Sequence, residues 1–169
     1  GYEYVVIDDE WAERKRDANG RLVPDAGKFP HGMKYLADYV HSLGLKFGIH
    51  IMRGIPRQAA HQHTKIKCDG VTANEIAKPS FVCLWNPDMY GVDPDAKGGQ
   101  EYYDSIFELY ASWGVDFVKV DDIANTEFKP HDPYSARGEI ELIRKAIGTI
   151  PGADYTYCMI HLGYRPNEM

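Results

Sequence analysis

Ionisable side chains stand at the ends of apolar, β-branched segments at three places in the sequence. Carboxylates beside apolar strands must find partners or shift their pKa, so this concentration exceeds what packing alone requires. We therefore interpret these positions as a candidate catalytic or binding site. The residues are Asp8 and Asp9 after the first segment, His50 in the second, and Lys119, Asp121 and Asp122 in and after the third.

The spacing of Lys119 and Asp121 carries the most specific chemical information. Alternate residues of a strand point to the same face, so the ammonium and carboxylate groups should lie together. A neighbouring cation lowers the pKa of a carboxyl group and keeps it ionised, which suits a nucleophile. We interpret Asp121 as the candidate nucleophile, with a buried structural ion pair as the alternative. Asp8 also closes a β-branched strand, where a capping role explains little.

The other candidates have structural alternatives. Asp9 and Asp122 could each cap the loop or helix that follows. His50 could contact a substrate, ligate a metal or lie in the core. Trp85 and Asn86 lie in a long loop, where the flat ring of Trp85 could stack on a sugar face or belong to the core.

Other catalytic motifs are weak or absent in the sequence. His61 and His63 stand two positions apart in a polar loop without further Cys or His nearby, so they do not support a zinc site. No glycine-rich phosphate loop and no Gly-x-Ser-x-Gly elbow follows a strand. The candidate chemistry therefore rests on the residues at the strand ends.

Helices and strands alternate along the chain. Helical spacing of apolar residues predicts helices that end at Gly44, Gly114 and Gly148, and strands follow the first two of these glycines. Such alternation predicts a parallel sheet of right-handed βαβ units, with ligands bound beyond the carboxyl ends of its strands. The predicted apolar faces comprise Met33, Leu36, Ala37, Val40 and Leu43, then Tyr103, Ile106, Phe107, Tyr110 and Trp113, and finally Ile140, Ile143 and Ile147.

Two regions do not fit this alternation. Residues 51–99 form a long stretch with a short helix expected near residues 72–77, and long loops of this kind usually carry function. Residues 155–160 could form a fourth strand, but no helix follows them. Because a sheet that stops there leaves an edge uncovered, we expect a truncated chain.

The composition is that of a globular protein. The chain has 169 residues, of which 44% are hydrophobic and 26% charged, and this length corresponds to about one domain. The net charge of −6 and the lack of a basic face exclude a non-specific nucleic-acid footprint. No run approaches the roughly 20 apolar residues that span a bilayer, so we expect no membrane partner. Three unevenly spaced cysteines argue against a disulfide framework and fit a reducing compartment.

Five segments occur in a characteristic order along the chain. They are GYEYVVIDDEW at residues 1–11, GRL at 20–22, FPHG at 29–32, LGLKFGI at 43–49 and WGVDFVKVD at 113–121. Together they resemble the melibiase-type α-galactosidases, the retaining glycoside hydrolases of family 27.

The resemblance implies an α/β fold, the (β/α)8 TIM barrel, of which this chain would hold an incomplete part. The chain would hold about strands 2 to 5 of the barrel with their helices, and residues 1–148 would form the partial glycoside hydrolase barrel. Residues 149–169 match the family poorly, and we expect them to be an atypical tail, either strand 5 or a truncated or frameshifted end.

The resemblance also implies roles for the site residues. Asp121 would be the catalytic nucleophile, and Asp8, Asp9 and Lys119 would bind sugar hydroxyls. A retaining mechanism needs a second carboxyl group about 5–5.5 Å away as acid and base. In the family that residue lies on a later strand, so we expect the chain to be inactive by itself.

Two departures from the family pattern affect these expectations. His50 stands where many members have Tyr, so its contact with the sugar would change in character. Glu10 and Ile123 replace cysteines of many secreted members, which favours a cytoplasmic, bacterial protein. Secretion is the alternative, since the sequence does not begin with Met.

We therefore predict a retaining glycoside hydrolase that removes terminal α-D-galactosyl residues from oligosaccharides or glycoconjugates, without a metal or organic cofactor. Trp85 and Asn86 are further candidate sugar contacts. Two alternatives stay open. One is a metal-dependent hydrolase with Asp8, His50, Asp121 and Asp122 as ligands, and the other is a non-catalytic carbohydrate-binding fragment. Galactose, N-acetylgalactosamine and arabinopyranose all stay open as the sugar.

Overall fold

Strands and helices alternate along the protein. The computed structural model describes residues 1–83, 86–123 and 136–150. In chain order the elements are β1 (Tyr4–Ile7), β2 (Ala12–Arg16), β3 (Leu22–Pro24), α1 (Gly32–Ser42), β4 (Lys46–Met52), β5 (Ile55–Pro56), α2 (Arg57–His61), α3 (Ala73–Ile76), β6 (Ala77–Val82), β7 (Met89–Val92), α4 (Gly99–Ser112), β8 (Phe117–Asp121) and α5 (Arg137–Gly148).

The site residues belong to a parallel sheet of three strands in the order β1, β4, β8. The central strand β4 is buried along almost its whole length, as a strand covered on both faces must be. Its register pairs His50 with Lys119 and Met52 with Asp121. The carboxyl ends of the three strands therefore meet at one end of the sheet, which confirms the predicted parallel arrangement.

Helices α1 and α4 bury the apolar faces that the sequence predicts. Met33, Ala37 and Val40 of α1 are buried, and Gly44 ends the helix with a left-handed φ of 74°. That conformation suits glycine, because it has no Cβ to clash with the backbone. Leu43 lies beyond the helix end with 58% of its surface exposed, so its assignment to the buried face is wrong.

Helix α5 differs from its prediction at two points. Ile143 is buried, whereas Ile140 and Ile147 are only half-buried. The most buried face of the helix also includes Glu139, a charged residue. Gly148 is the last residue of the helix, as predicted, although its backbone is not left-handed.

The long stretch between β4 and α4 contains a second, antiparallel sheet in the order β5, β7, β6. The short helix predicted near residues 72–77 is α3, which begins with a capping box between Thr72 and Glu75. A hairpin of β2 and β3 stands between β1 and α1. The sequence does not predict these strands, because residues 12–16, with the sequence AERKR, show no apolar alternation.

Several expectations fall on parts of the chain that the structure leaves undescribed. Trp85, Cys158 and the candidate strand at residues 155–160 lie outside the described residues. Among the described residues, Cys68 is half-buried and Cys83 is buried. In the same part of the chain, no helix is long and apolar enough to cross a membrane.

Candidate active site

Most of the predicted site residues come together at the carboxyl ends of the parallel strands. Two carboxylates follow β1, an imidazole projects from β4, and an ammonium and a carboxylate project from β8. Because the strands are parallel and adjacent, side chains far apart in sequence reach one another here. This strand-end cluster consists of Asp8, Asp9, His50, Lys119 and Asp121.

Lys119 links the first and third strands of the sheet. Its Nζ lies 3.2 Å from Oδ2 of Asp8 and 4.0 Å from Oδ2 of Asp121. Residues of β8 alternate between buried and half-buried positions, so Lys119 and Asp121 share a face, as predicted. The ammonium group thus lies between two carboxylates.

His50 links Asp121 to Asp9, the third carboxylate of the cluster. Its Nε2 is 3.4 Å from Oδ2 of Asp121, and its Nδ1 is 3.8 Å from Oδ1 of Asp9. Only 3% of its side chain is exposed, and the indole N–H of Trp11 donates a 2.6 Å hydrogen bond to its carbonyl oxygen. His50 is therefore held on a fixed strand with its ring at the site, rather than in an apolar core.

The Asp121 carboxylate is surrounded by donors and cationic groups. Its Oδ1 accepts a 2.7 Å hydrogen bond from the backbone N–H of Asp122, while Oδ2 faces His50 and Lys119. The side chain keeps 20% of its surface exposed. An anionic group that is both oriented and accessible can attack an electrophilic carbon.

The pKa of Asp8 is lowered below its ordinary value of 3.8. The main cause is the backbone N–H of Asp9, which lies 2.9 Å from Oδ1 of Asp8, and Lys119 adds a smaller effect in the same direction. Slight burial of the carboxyl group opposes both effects. Asp8 is therefore ionised in neutral and mildly acidic solution and can accept hydrogen bonds from hydroxyl groups.

A cleft of about 690 Å³ opens beside the cluster. Asp9, Trp11 and His50 line one part of it, and Asn86 and Met89 line another. Asn86 therefore shares a cleft with two residues of the strand-end cluster. The lining contains carboxylates and the indole ring of Trp11, a combination that suits a polyhydroxylated ligand with a hydrophobic face.

Asp122 does not join the cluster. Its carboxylate is 2.8 Å from Nη2 of Arg53, and the residue is only 8% exposed. Within the described ranges, no group of three or more His, Cys, Asp or Glu is arranged to hold a metal ion. The four ligands of the metal-dependent alternative are therefore not brought together. His61, from the pair considered for zinc, instead contacts the hydroxyl of Tyr90 at 3.2 Å.

Sequence reasoning missed three buried polar residues behind the cluster. Arg53 is 2% exposed and forms ion pairs with Asp122 and Glu139, and the hydroxyl of Tyr103 donates a 2.6 Å hydrogen bond to Glu139. The sequence gives one indication that Glu139 is buried. It stands three positions before Leu142 and four before Ile143, on the buried face of α5. A charged residue at such a position needs a buried partner.

Comparison with known proteins identifies the family. Residues 1–80 match the melibiase family model described as alpha galactosidase A. The chain superposes with a TM-score of 0.82 on a family 27 β-L-arabinopyranosidase from Geobacillus stearothermophilus, with 50% identity, covering 88% of this chain and 38% of the other.

Two curated relatives extend the comparison to other sugars. An α-galactosidase from Cyamopsis tetragonoloba is 34% identical over 82% of this chain and 26% of its own length. An α-N-acetylgalactosaminidase from Gallus gallus is 36% identical over 72% of this chain and 22% of its own length. The chain thus spans about a quarter of the length of these relatives.

The curated relatives and the solved structure are all glycosidases by name. The chain belongs to the melibiase-type glycoside hydrolases of family 27.

Proposed function

We propose that the protein carrying this chain is a retaining glycosidase for terminal α-D-galactosyl residues, with Asp121 as its nucleophile. One observation supports this assignment above the others. Asp121 is accessible at the end of β8, and its two carboxylate oxygens are oriented by His50, Lys119 and the N–H of Asp122. A nucleophile must be oriented and accessible, and this carboxylate meets both conditions, since 20% of its side chain is exposed.

In the proposed reaction, an oxygen of Asp121 attacks the anomeric carbon of the sugar. The bond from that carbon to the leaving-group oxygen breaks, and the leaving group takes a proton from an acid/base residue. Water then attacks the covalent glycosyl-enzyme, and the same residue accepts its proton. This chain supplies the nucleophile, and we assign the acid/base to a later strand of the barrel, in line with the family resemblance.

We assign sugar binding to the rest of the cluster. Asp8 and Asp9 offer carboxylate oxygens that accept hydrogen bonds from hydroxyl groups, and Lys119 offers an ammonium donor between Asp8 and Asp121. His50 places a ring nitrogen toward Asp9 and another toward Asp121. Asn86 borders the same cleft and would contact the sugar or its leaving group.

We also propose a place for the sheet in the family's barrel. The parallel strands β1, β4 and β8 would be strands 2, 3 and 4 of a (β/α)8 barrel, because they are adjacent and carry the site at their carboxyl ends. The antiparallel sheet of β5, β6 and β7 would form part of the loop that follows strand 3.

A β-L-arabinopyranosidase activity is the second candidate. It is supported by the 50% identity to the Geobacillus stearothermophilus enzyme over most of this chain. α-D-Galactopyranosides and β-L-arabinopyranosides have the same ring configuration and differ only in the hydroxymethyl group at C5. Comparing kcat/KM for the two aryl glycosides would distinguish these candidates without affecting the role of Asp121.

The nucleophile assignment is tested by azide rescue in the full-length protein that carries this chain. We expect Asp121→Gly to lower turnover of an activated aryl α-galactoside by at least about 1,000-fold. Azide should then enter the vacated space, attack the anomeric carbon and release the aryloxide, giving the β-galactosyl azide. Asp38→Gly is the control, since Asp38 pairs with Lys34 on the exposed side of α1.

Two outcomes would contradict the assignment. Near-normal turnover in Asp121→Gly would exclude a nucleophile at this position. An α-configured azide product would indicate that the variant lacks the acid/base and still has its nucleophile, so Asp121 would have the other role.

A further inference from the structure

Asp122, the residue after the proposed nucleophile, has a backbone conformation that L-amino acids rarely adopt. Its φ is 53°, in the left-handed region, where an L side chain is strained. In this conformation its N–H lies 2.7 Å from Oδ1 of Asp121. The orientation of the proposed nucleophile therefore depends on a strained neighbour.

The side chain of Arg53 contacts Asp122 at two points. Its Nε donates a 2.6 Å hydrogen bond to the carbonyl oxygen of Asp122, and its Nη2 lies 2.8 Å from the carboxylate of the same residue. The backbone N–H of Arg53 also donates to the carbonyl oxygen of Asp121 at 3.1 Å. One arginine thus contacts Asp122 on both its backbone and its side chain.

A second carboxylate fixes the other side of the guanidinium group. Nη1 of Arg53 lies 3.2 Å from Oε1 of Glu139, and the hydroxyl of Tyr103 donates to Oε2 of Glu139 at 2.6 Å. Nη1 also lies 3.4 Å from the carbonyl oxygen of Phe81. The planar fork of donors is therefore held in one orientation, which a lysine could not reproduce.

The pKa of Tyr103 is consistent with its role as a hydrogen-bond donor. Burial raises the pKa of Tyr103 well above its ordinary value of 10.0, so its hydroxyl keeps the proton that it donates. Burial also raises the pKa of Glu139, against the opposing effects of Arg53 and Tyr103.

We infer that Arg53 is a positioning residue for catalysis, which acts through Asp122 to aim the Asp121 carboxylate at the anomeric carbon. This inference rests on the proposed function, since it requires Asp121 to be the nucleophile. Arg53 does not touch the sugar in this account. Its effect is on the transition state through the orientation of Asp121, so its loss should lower kcat and leave KM nearly unchanged.

The test compares Arg53→Lys with Ile106→Val in the full-length protein. Arg53→Lys keeps the charge but cannot bind the carbonyl and carboxylate of Asp122 together, so we expect kcat to fall at least 10-fold with KM within twofold. Ile106→Val removes one methyl group from the buried face of α4 and leaves the polar partners of Arg53 in place. We expect this control to lower the melting temperature while kcat stays within twofold.

A second pair of variants covers the case in which Arg53→Lys does not fold. Asp122→Ala removes the carboxylate contact of Arg53 and should lower kcat at least fivefold. Asp122→Asn keeps an acceptor for Nη2 and a residue type that tolerates the left-handed region, so it should recover part of the loss.

Four results separate the inference from the proposed function on which it rests. If Arg53→Lys is folded and keeps its kcat, the positioning role is wrong. The role is also wrong if the loss of kcat in every variant, the control included, simply follows the loss in melting temperature. If only the Asp122 variants fold, equal kcat values for Asp122→Ala and Asp122→Asn would contradict the positioning role. If Asp121→Gly in the same series keeps normal turnover, the proposed function itself has failed.

Discussion

At the scale of single residues, the site is a chain of alternating charges. The order Asp8, Lys119, Asp121, His50 and Asp9 puts a cationic or donor group between successive carboxylates. Each carboxylate thereby has a partner without being fully buried, and the exposed oxygens stay available to a ligand. Removing one partner should change the ionisation of its neighbours as well as the contact itself.

Lys119→Met tests this coupling through Asp8. We expect the pKa of Asp8 to rise toward 3.8 but to stay below it, because the larger effect of the Asp9 N–H remains. A folded-state pKa below the unfolded value stabilises the fold at higher pH, and that stability is lost as pH falls through the folded-state pKa. The variant should therefore lose this contribution at a higher pH than the parent protein.

NMR titration of the Asp8 carboxyl carbon measures the shift directly. Lys34→Met is the matched control, since Lys34 pairs with Asp38 on α1, away from the site. An unchanged Asp8 titration in Lys119→Met would show that the 3.2 Å ion pair has no electrostatic effect in solution.

At the scale of elements, the turn after β4 is the tightest backbone contact in the site region. Gly54 has a φ of 95°, and a Cβ at this position would lie 1.9 Å from the carbonyl oxygen of Tyr90. Because the two backbones approach this closely, β5 pairs with β7 shortly after Arg53, the residue that follows β4. The turn therefore sets the position from which Arg53 reaches Asp122.

Gly54→Ala should destabilise the protein by about 3 kcal/mol or more, from a steric clash added to the left-handed strain. Gly44→Ala is the control, because Gly44 has a φ of 74° and nothing within 4 Å of its would-be Cβ. It should cost about 1 kcal/mol from strain alone. Denaturant unfolding of both variants measures the difference, and equal losses would contradict the close contact at Gly54.

Elements with a regular apolar pattern could be predicted from the sequence, whereas polar ones could not. The spacing in α1 and α4 predicts their buried faces, and the glycines after them mark their ends. The hairpin strand Ala12–Arg16 and the short strand Ile55–Pro56 carry no such pattern. They form because they pair with other strands, and the sequence of each short segment alone does not show that pairing.

At the scale of the whole molecule, the site arises from the order of strands in the sheet. Parallel strands joined by helices place their carboxyl ends together, so the meeting of Asp8, His50 and Asp121 could be predicted from three strand ends in the sequence. The contact between Arg53 and Glu139 could not, since 86 positions separate them and only the packing of α5 brings them together.

If Asp121 is the nucleophile, it forms the covalent bond to the sugar. This bond can be detected by mass spectrometry of the full-length protein after treatment with an activated, fluorinated galactosyl fluoride, which slows breakdown of the glycosyl-enzyme. We expect the added mass of one fluorogalactosyl group to lie on the peptide containing Asp121 and to be absent in Asp121→Ala. A label on any other carboxylate, or labelling that persists in Asp121→Ala, would contradict this assignment.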